Sequence, residues 1–164
     1  MPTSTYEKIE AKSLGSTTSS VAFTSIPATY TDLVLIANYT TTAANVDVRF
    51  QVNGDTASNY SYTYLLGNGT AAGSGRLANS VYIGGYFSVG TSTNGNISIY
   101  NLMNYSNTST YKTILQRMSS AEKELTANVG LWRNTAAINA CTIYTSGSTF
   151  TVGSTFTLYG IKAA

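Results

Sequence analysis

Residues 46–53, Val46-Asp47-Val48-Arg49-Phe50-Gln51-Val52-Asn53, alternate apolar and polar side chains without an error. Successive side chains of an extended strand point to opposite faces, so this octet reads as a strand with one buried side and one wet side. Asn53-Gly54-Asp55 then supplies the positive-φ residues that a tight turn demands. The same grammar recurs along the chain. Residues 32–38 carry the run Leu33-Val34-Leu35-Ile36-Ala37, apolar on both faces, which predicts a strand in the middle of its sheet. Further strands are expected near 6–11, 20–24, 60–66, 80–87, 96–103, 111–118, 128–133, 138–145 and 154–162, all rich in Tyr, Thr, Val and Ile.

Helical signal is confined to Ser119-Ser120-Ala121-Glu122-Lys123-Glu124-Leu125, where Ser119 and Glu122 have capping-box spacing, so one short helix is expected there. Gly67 to Gly75, rich in Gly, Ala and Ser, reads as a flexible surface loop; no Lys-Ser or Lys-Thr follows to make it a phosphate cradle. Asn94-Gly95 is a second hairpin signal. A six-residue unit, Gly147-Ser148-Thr149-Phe150-Thr151-Val152, is echoed from Gly153 to Thr157. Its even period puts Phe150 and Phe156 on one face if both copies are extended, while Gly153 equally suits a turn between them. About 8–11 short antiparallel strands without βαβ alternation predict an all-β fold, a jelly-roll-like β-sandwich, with a closed barrel as the alternative. No stretch reads as a linker, so residues 1–164 are expected to form one domain.

Composition narrows the function. Charged residues are 10% of the chain, and Ser, Thr and Asn supply its polarity. The nine basic residues are scattered singly, and no cluster exists to neutralise a row of phosphates, which argues against nucleic acid as a partner. The run from Leu33 to Ala37 is far too short to span a membrane, and Met1 to Lys8 lacks the apolar core of a secretory signal. With no histidine and a single cysteine, His-based triads and conventional zinc sites are excluded, and no cofactor is expected. Cys141, among Ile138, Ala140 and Ile143, reads as a small core residue.

The carboxylates Glu7, Glu10, Asp32, Asp47, Asp55, Glu122 and Glu124 would be the raw material of a hydrolase, but Glu7 and Glu10 beside Lys8, and Asp47 alternating with Arg49, read as solvated strand faces. Asp55 belongs to a turn and lacks the Asp-x-Asp spacing of a calcium loop. The chain is therefore expected not to be an enzyme. Six Asn-x-Ser/Thr triplets, beginning at Asn38, Asn59, Asn68, Asn96, Asn104 and Asn107, follow from the composition and carry no weight.

Tyrosine, thirteen of 164 residues, is the remaining functional signal. Tyr60, Tyr62 and Tyr64 alternate along one strand face, a candidate partner-contact surface because tyrosine combines large area with a polar tip. A cross-strand aromatic ladder inside the sheet is the competing reading. Trp132, between Leu131 and Arg133, is expected in the core.

Several segments carry a resemblance: Ser25-Ile26-Pro27-Ala28-Thr29-Tyr30-Thr31-Asp32-Leu33-Val34-Leu35, Asn53-Gly54-Asp55-Thr56 with Asn59-Tyr60-Ser61-Tyr62-Thr63, residues 103–113, residues 130–139 (Gly130-Leu131-Trp132-Arg133-Asn134-Thr135-Ala136-Ala137-Ile138-Asn139), and residues 153–162. In these the chain resembles small stand-alone virion structural proteins of tailed bacteriophages, cyanobacterial and marine phages among them. The resemblance implies a capsid cement (decoration) protein, made in the host cytoplasm and placed on the capsid surface. Its implied partners are the major capsid protein and further copies of itself, most simply a homotrimer on a shell three-fold axis. The alternative within the same resemblance is a fibre or tail-tip adhesin that binds a host glycan.

Overall fold

A computed structural model describes residues 5–84, 95–121 and 123–162. Twelve strands form two antiparallel sheets that pack face to face. In chain order they are β1 (Tyr6–Ser13), β2 (Ser20–Phe23), β3 (Asp32–Tyr39), β4 (Val48–Val52), β5 (Tyr60–Gly67), β6 (Ala72–Ser80), β7 (Ile83–Gly84), β8 (Asn96–Leu102), β9 (Lys112–Ser120), β10 (Glu124–Trp132), β11 (Cys141–Thr145) and β12 (Thr155–Ile161). The large sheet has the order β1-β12-β3-β8-β9-β10-β5-β6, and the small one β2-β11-β4-β7. The fold is thus the all-β sandwich that the sequence predicts. Its division into eight and four strands, with a β8-β9-β10 meander inside the large sheet, differs from the eight strands in two Greek keys of a jelly roll.

The period-two reading of residues 46–52 places the core correctly. Val48, Phe50 and Val52 are fully buried, while Arg49 and Gln51 face out. Phe50 stacks on Tyr100 of the opposite sheet with ring centroids 4.4 Å apart, so β4 and β8 meet through an aromatic pair at the centre of the sandwich. β3 sits between β12 and β8, and its Val34 is buried on the outward side as well, as a doubly apolar central strand requires. Cys141 and Trp132 are core residues; burial pushes the Cys141 thiol up to about 12, where it stays protonated.

The turn at Asn53-Gly54 has both residues at positive φ (51° and 64°), and the Asp55 amide donates to the Val52 carbonyl at 3.0 Å, a type I′ turn. It does not close a hairpin: it carries the chain from β4 in the small sheet to β5 in the large one. Between the repeat copies the chain turns at 152–153, with Gly153 at φ +85°, and Phe150 and Phe156 meet edge to face at 5.0 Å.

Two local expectations are corrected. The described residues among 119–125 form no helix: β9 ends at Ser120, β10 starts at Glu124, and the Lys123 amide donates to the Ser120 carbonyl at 2.9 Å. A helix of under two turns has little stability of its own, whereas zipping β9 to β10 pairs nine residues on each strand. Glu122, half of the supposed capping box, lies outside the described residues, as do Asn94 and the end of the strand expected at 80–87. The segment 67–75 is likewise not a loop throughout. Asn68 closes a tight turn, accepting the Thr70 and Ala71 amides at its side-chain oxygen, and β6 begins at Ala72. Gly75 stands where the Tyr64 ring lies across the strand, so a side chain there would meet that ring.

Gly130 marks where the small sheet seats on the large. A Cβ at this position would come within 2.6 Å of Ile83 Cδ1 and 2.9 Å of its Cγ2, and Ile83 is fully buried. Gly130→Ala is expected to destabilise the fold by about 1–3 kcal/mol through overpacking, read as a lower denaturation midpoint; an unchanged midpoint would refute this close approach.

Candidate interaction surface

The structure turns the proposed tyrosine face inward. Tyr60, Tyr62 and Tyr64 are 0%, 5% and 8% exposed. The Tyr60 hydroxyl has the carbonyls of Asp55 at 3.0 Å and Val52 at 3.2 Å as acceptors for its one proton, and accepts the Val52 amide at 3.1 Å. Tyr62 packs at 6.3 Å from Tyr64 and 6.4 Å from Tyr82. The three rings are core residues of β5, opposed across the strands by Trp132 and Ser80, Gly130 and Leu77, and Asn128 and Gly75, so they form neither an exposed face nor a cross-strand ring ladder. Burial raises the Tyr60 and Tyr62 hydroxyls above their ordinary value, so neither ionises near neutral pH. Tyr39, Tyr100 and Tyr105 are buried as well.

The opposite parity of the same strands is the exposed one, and it carries a cluster of aliphatic side chains among polar ones. Leu65 of β5 is 64% exposed, Leu125 and Val129 of β10 are 59% and 46%, and Leu115 of β9 is 44%. Strand register aligns them into rows across the outer face of the large sheet. One row runs Tyr159, Val34, Asn101, Leu115, Val129, Thr63, Arg76, and the next Thr157, Ile36, Ile99, Arg117, Ala127, Leu65, Ser74. Between β8 and β6 the charges in these rows are Arg117 and Arg76, both positive. A shallow depression lined by Thr63, Arg76, Thr113, Val129 and Leu131 lies in the same area.

The outer face of the small sheet contrasts with it. Arg49, Gln51, Thr142 and Tyr144 make it polar, and Arg49 sits 4.3 Å from the centre of the Tyr82 ring while bonding Asp47 at 3.3 Å. The two outer faces of one sandwich therefore differ in kind. Adjacent exposed aliphatic residues on one side make it the candidate interaction surface.

The charged groups elsewhere serve the fold. Glu7 accepts from Lys162 at 2.7 Å and from Tyr30 at 3.2 Å, and the Lys162 bond holds its carboxyl below the ordinary range. Glu10 pairs with Lys12 at 3.2 Å, and Asp32 accepts the Asn104 amide at 2.6 Å. Asp55 accepts from Trp132 Nε1 at 2.7 Å and from Asn59 Nδ2 and the Ala57 amide, each at 2.9 Å. Buried Lys112 donates to the carbonyls of Thr110 at 2.7 Å and Thr135 at 3.0 Å, and burial lowers its amine below the ordinary value. Among the described residues no group of three or more Cys, Asp or Glu converges as metal ligands would, and no helix is long and apolar enough to cross a membrane.

Fold and surface together define the class: an antiparallel β-sandwich whose large sheet carries exposed aliphatic side chains on its outer face and whose small sheet has a polar one. No family model, curated protein or solved structure matches this chain.

Proposed function

We propose that this chain is a non-catalytic structural subunit of a phage virion, a cement protein that docks on the outer surface of the capsid shell and stabilises it. The observation that carries the proposal is the exposed aliphatic cluster on the outer face of the large sheet, with Leu65, Leu115, Leu125 and Val129 on three adjacent strands. The resemblance to virion proteins gives that face a partner, the major capsid protein. Covering the exposed parts of four aliphatic side chains contributes on the order of 5 kcal/mol, comparable to the cost of association. One subunit binding alone is weak, and many linked subunits on a repeating shell hold through avidity. The alternative adhesin needs a cluster of exposed aromatic rings to stack on sugar; Tyr60, Tyr62 and Tyr64 are buried, and the exposed Tyr6 and Tyr111 sit on β1 and beside β9, which three strands separate in the large sheet.

The test adds purified protein to shells that lack it, images them, and heats both to breakage. Decorated shells should break at a higher temperature, and binding should persist at a few hundred millimolar salt because apolar contact outweighs charge. Val129→Lys, on the exposed face, should weaken binding at least about tenfold while the chain stays folded. Attachment to the tail, release by salt, or full binding by the Val129→Lys variant would overturn the proposal.

A further inference from the structure

The edges of the two sheets are guarded unequally. β1 closes one side of the large sheet with Glu7, Lys8, Glu10 and Lys12, and its register with β12 is broken between Lys8 and Glu10. In the small sheet β2 has four residues, with the Lys12 ammonium capping its Ala22 carbonyl at 2.7 Å. Charge, irregularity and shortness are the usual means of keeping a strand edge from pairing with another chain. β6 uses none of them over residues 72–77. It is nine residues long, has no proline and a single charge, and keeps regular register with β5 from Ala72 to Leu77. Ala72, Gly73, Ser74 and Arg76 are exposed.

The ladder fixes which backbone groups are free. The Asn68 amide donates to the Ala71 carbonyl at 3.1 Å, so this pair is hydrogen-bonded. Alternation along an antiparallel pair then turns Gly73, Gly75 and Leu77 toward β5, and the amides and carbonyls of Ala72, Ser74 and Arg76 toward the side where, among the described residues, no strand pairs with β6.

We infer that β6 adds edge to edge, antiparallel, to β6 of a second copy of this chain, forming a two-fold dimer with one continuous sheet. With Ser74 opposite its own copy, Ala72 faces the partner's Arg76 and Arg76 faces the partner's Ala72. All six free groups of each strand are then satisfied, giving six backbone hydrogen bonds, and no arginine opposes another. Small side chains on the edge let the second strand approach without steric cost. Ser74 and Arg76 pair with Leu65 and Thr63, so they belong to the outer parity and the dimer brings two aliphatic clusters side by side. This assembly is two-fold, unlike the trimer suggested by shell symmetry, though icosahedral shells also have two-fold positions. The pairing does not depend on the virion reading.

Sedimentation of the purified chain from micromolar concentrations to about 1 mM, the range of weak specific pairing, tests it without shells. The expected result is a concentration-dependent shift from 17.4 kDa to twice that mass. Ser74→Pro, which removes an outward amide, should stay at the monomer mass with an unchanged far-UV dichroism spectrum. Ser74→Cys provides a readout that does not need the proline variant to fold. Paired residues at this register lie about 5.5 Å apart at Cα, within disulfide reach. Diamide should therefore link it into dimers within minutes, while Thr113→Cys, on the outer face of β9, stays unlinked; native Cys141 is buried and does not compete. A monomer across the range, a trimer, or Ser74→Cys cross-linking no faster than Thr113→Cys would overturn the inference. Each of these results leaves the shell-binding test unaffected.

Discussion

Phe50→Ala is expected to cost about 3–5 kcal/mol of stability, against under about 0.5 kcal/mol for Asp47→Ala. The two residues lie three apart in sequence and on opposite sides of the strand line. Phe50 is fully buried, stacked on Tyr100 at 4.4 Å, and flanked in register by Ile143 and Ile83. Removing its ring leaves a cavity between the sheets that neither partner can fill without breaking the β4 ladder. The Asp47 side chain is half exposed, and its bond to Arg49 is screened by solvent. Urea unfolding of both variants measures the contrast, with parallel slopes showing that the unfolded state is unchanged. Similar losses in the two variants would mean that the parity of residues 46–52 is not what holds the sheets together.

That parity was legible because β4 puts its apolar residues on one side and its polar residues on the other. Other strands do not. Along β10 the inward set is Thr126, Asn128, Gly130 and Trp132, while the outward set is Leu125, Ala127, Val129 and Leu131. Hydrophobic alternation alone would turn this strand over. One inward polar group has partners that sequence cannot show: Asn128 Nδ2 donates to Gln116 Oε1 at 2.9 Å and to the Gly84 carbonyl at 3.3 Å. The inversion is itself the signal of the candidate site, since aliphatic residues were placed where water is and not where the core is.

On β5 the difficulty was different. Tyr60, Tyr62 and Tyr64 suit a core or an interface equally by chemistry, and only the packing of Tyr64 across Gly75 decides for the core. That same packing explains why β6 escaped notice. Its glycines look like a loop in isolation, yet they are strand residues made small to accept a ring from the neighbour. The hairpin at 120–124 was missed for a related reason, because a four-residue capping signature is local and the nine-residue pairing of β9 with β10 is not.

Asp55→Ala is expected to destabilise the chain by about 2–4 kcal/mol, the largest effect predicted for any polar side chain here. The carboxylate is the shared acceptor for Trp132 Nε1, Asn59 Nδ2 and the Ala57 amide, and Tyr60 reaches back to the Asp55 carbonyl. It thereby joins the chain leaving β4 to the ends of β5 and β10. Its loss strands the indole N–H of a tryptophan that is almost wholly buried, and a buried donor without an acceptor costs more than the bond was worth. Trp132 is the one tryptophan in the chain, so its fluorescence follows unfolding directly. The substitution has a pH signature too. Burial by itself raises the Asp55 carboxyl, but the bonds from Asn59, Trp132 and Ala57 outweigh it and leave the group below its ordinary value of 3.8. A group lowered on folding stabilises fully above its unfolded value and loses that contribution as pH falls through the folded one. The gap in stability between the native chain and Asp55→Ala should therefore be constant from neutral pH down to about 5 and shrink below about 4. A gap that stays constant into strong acid would show that the carboxylate, as a charged acceptor, is not what anchors this corner of the sandwich.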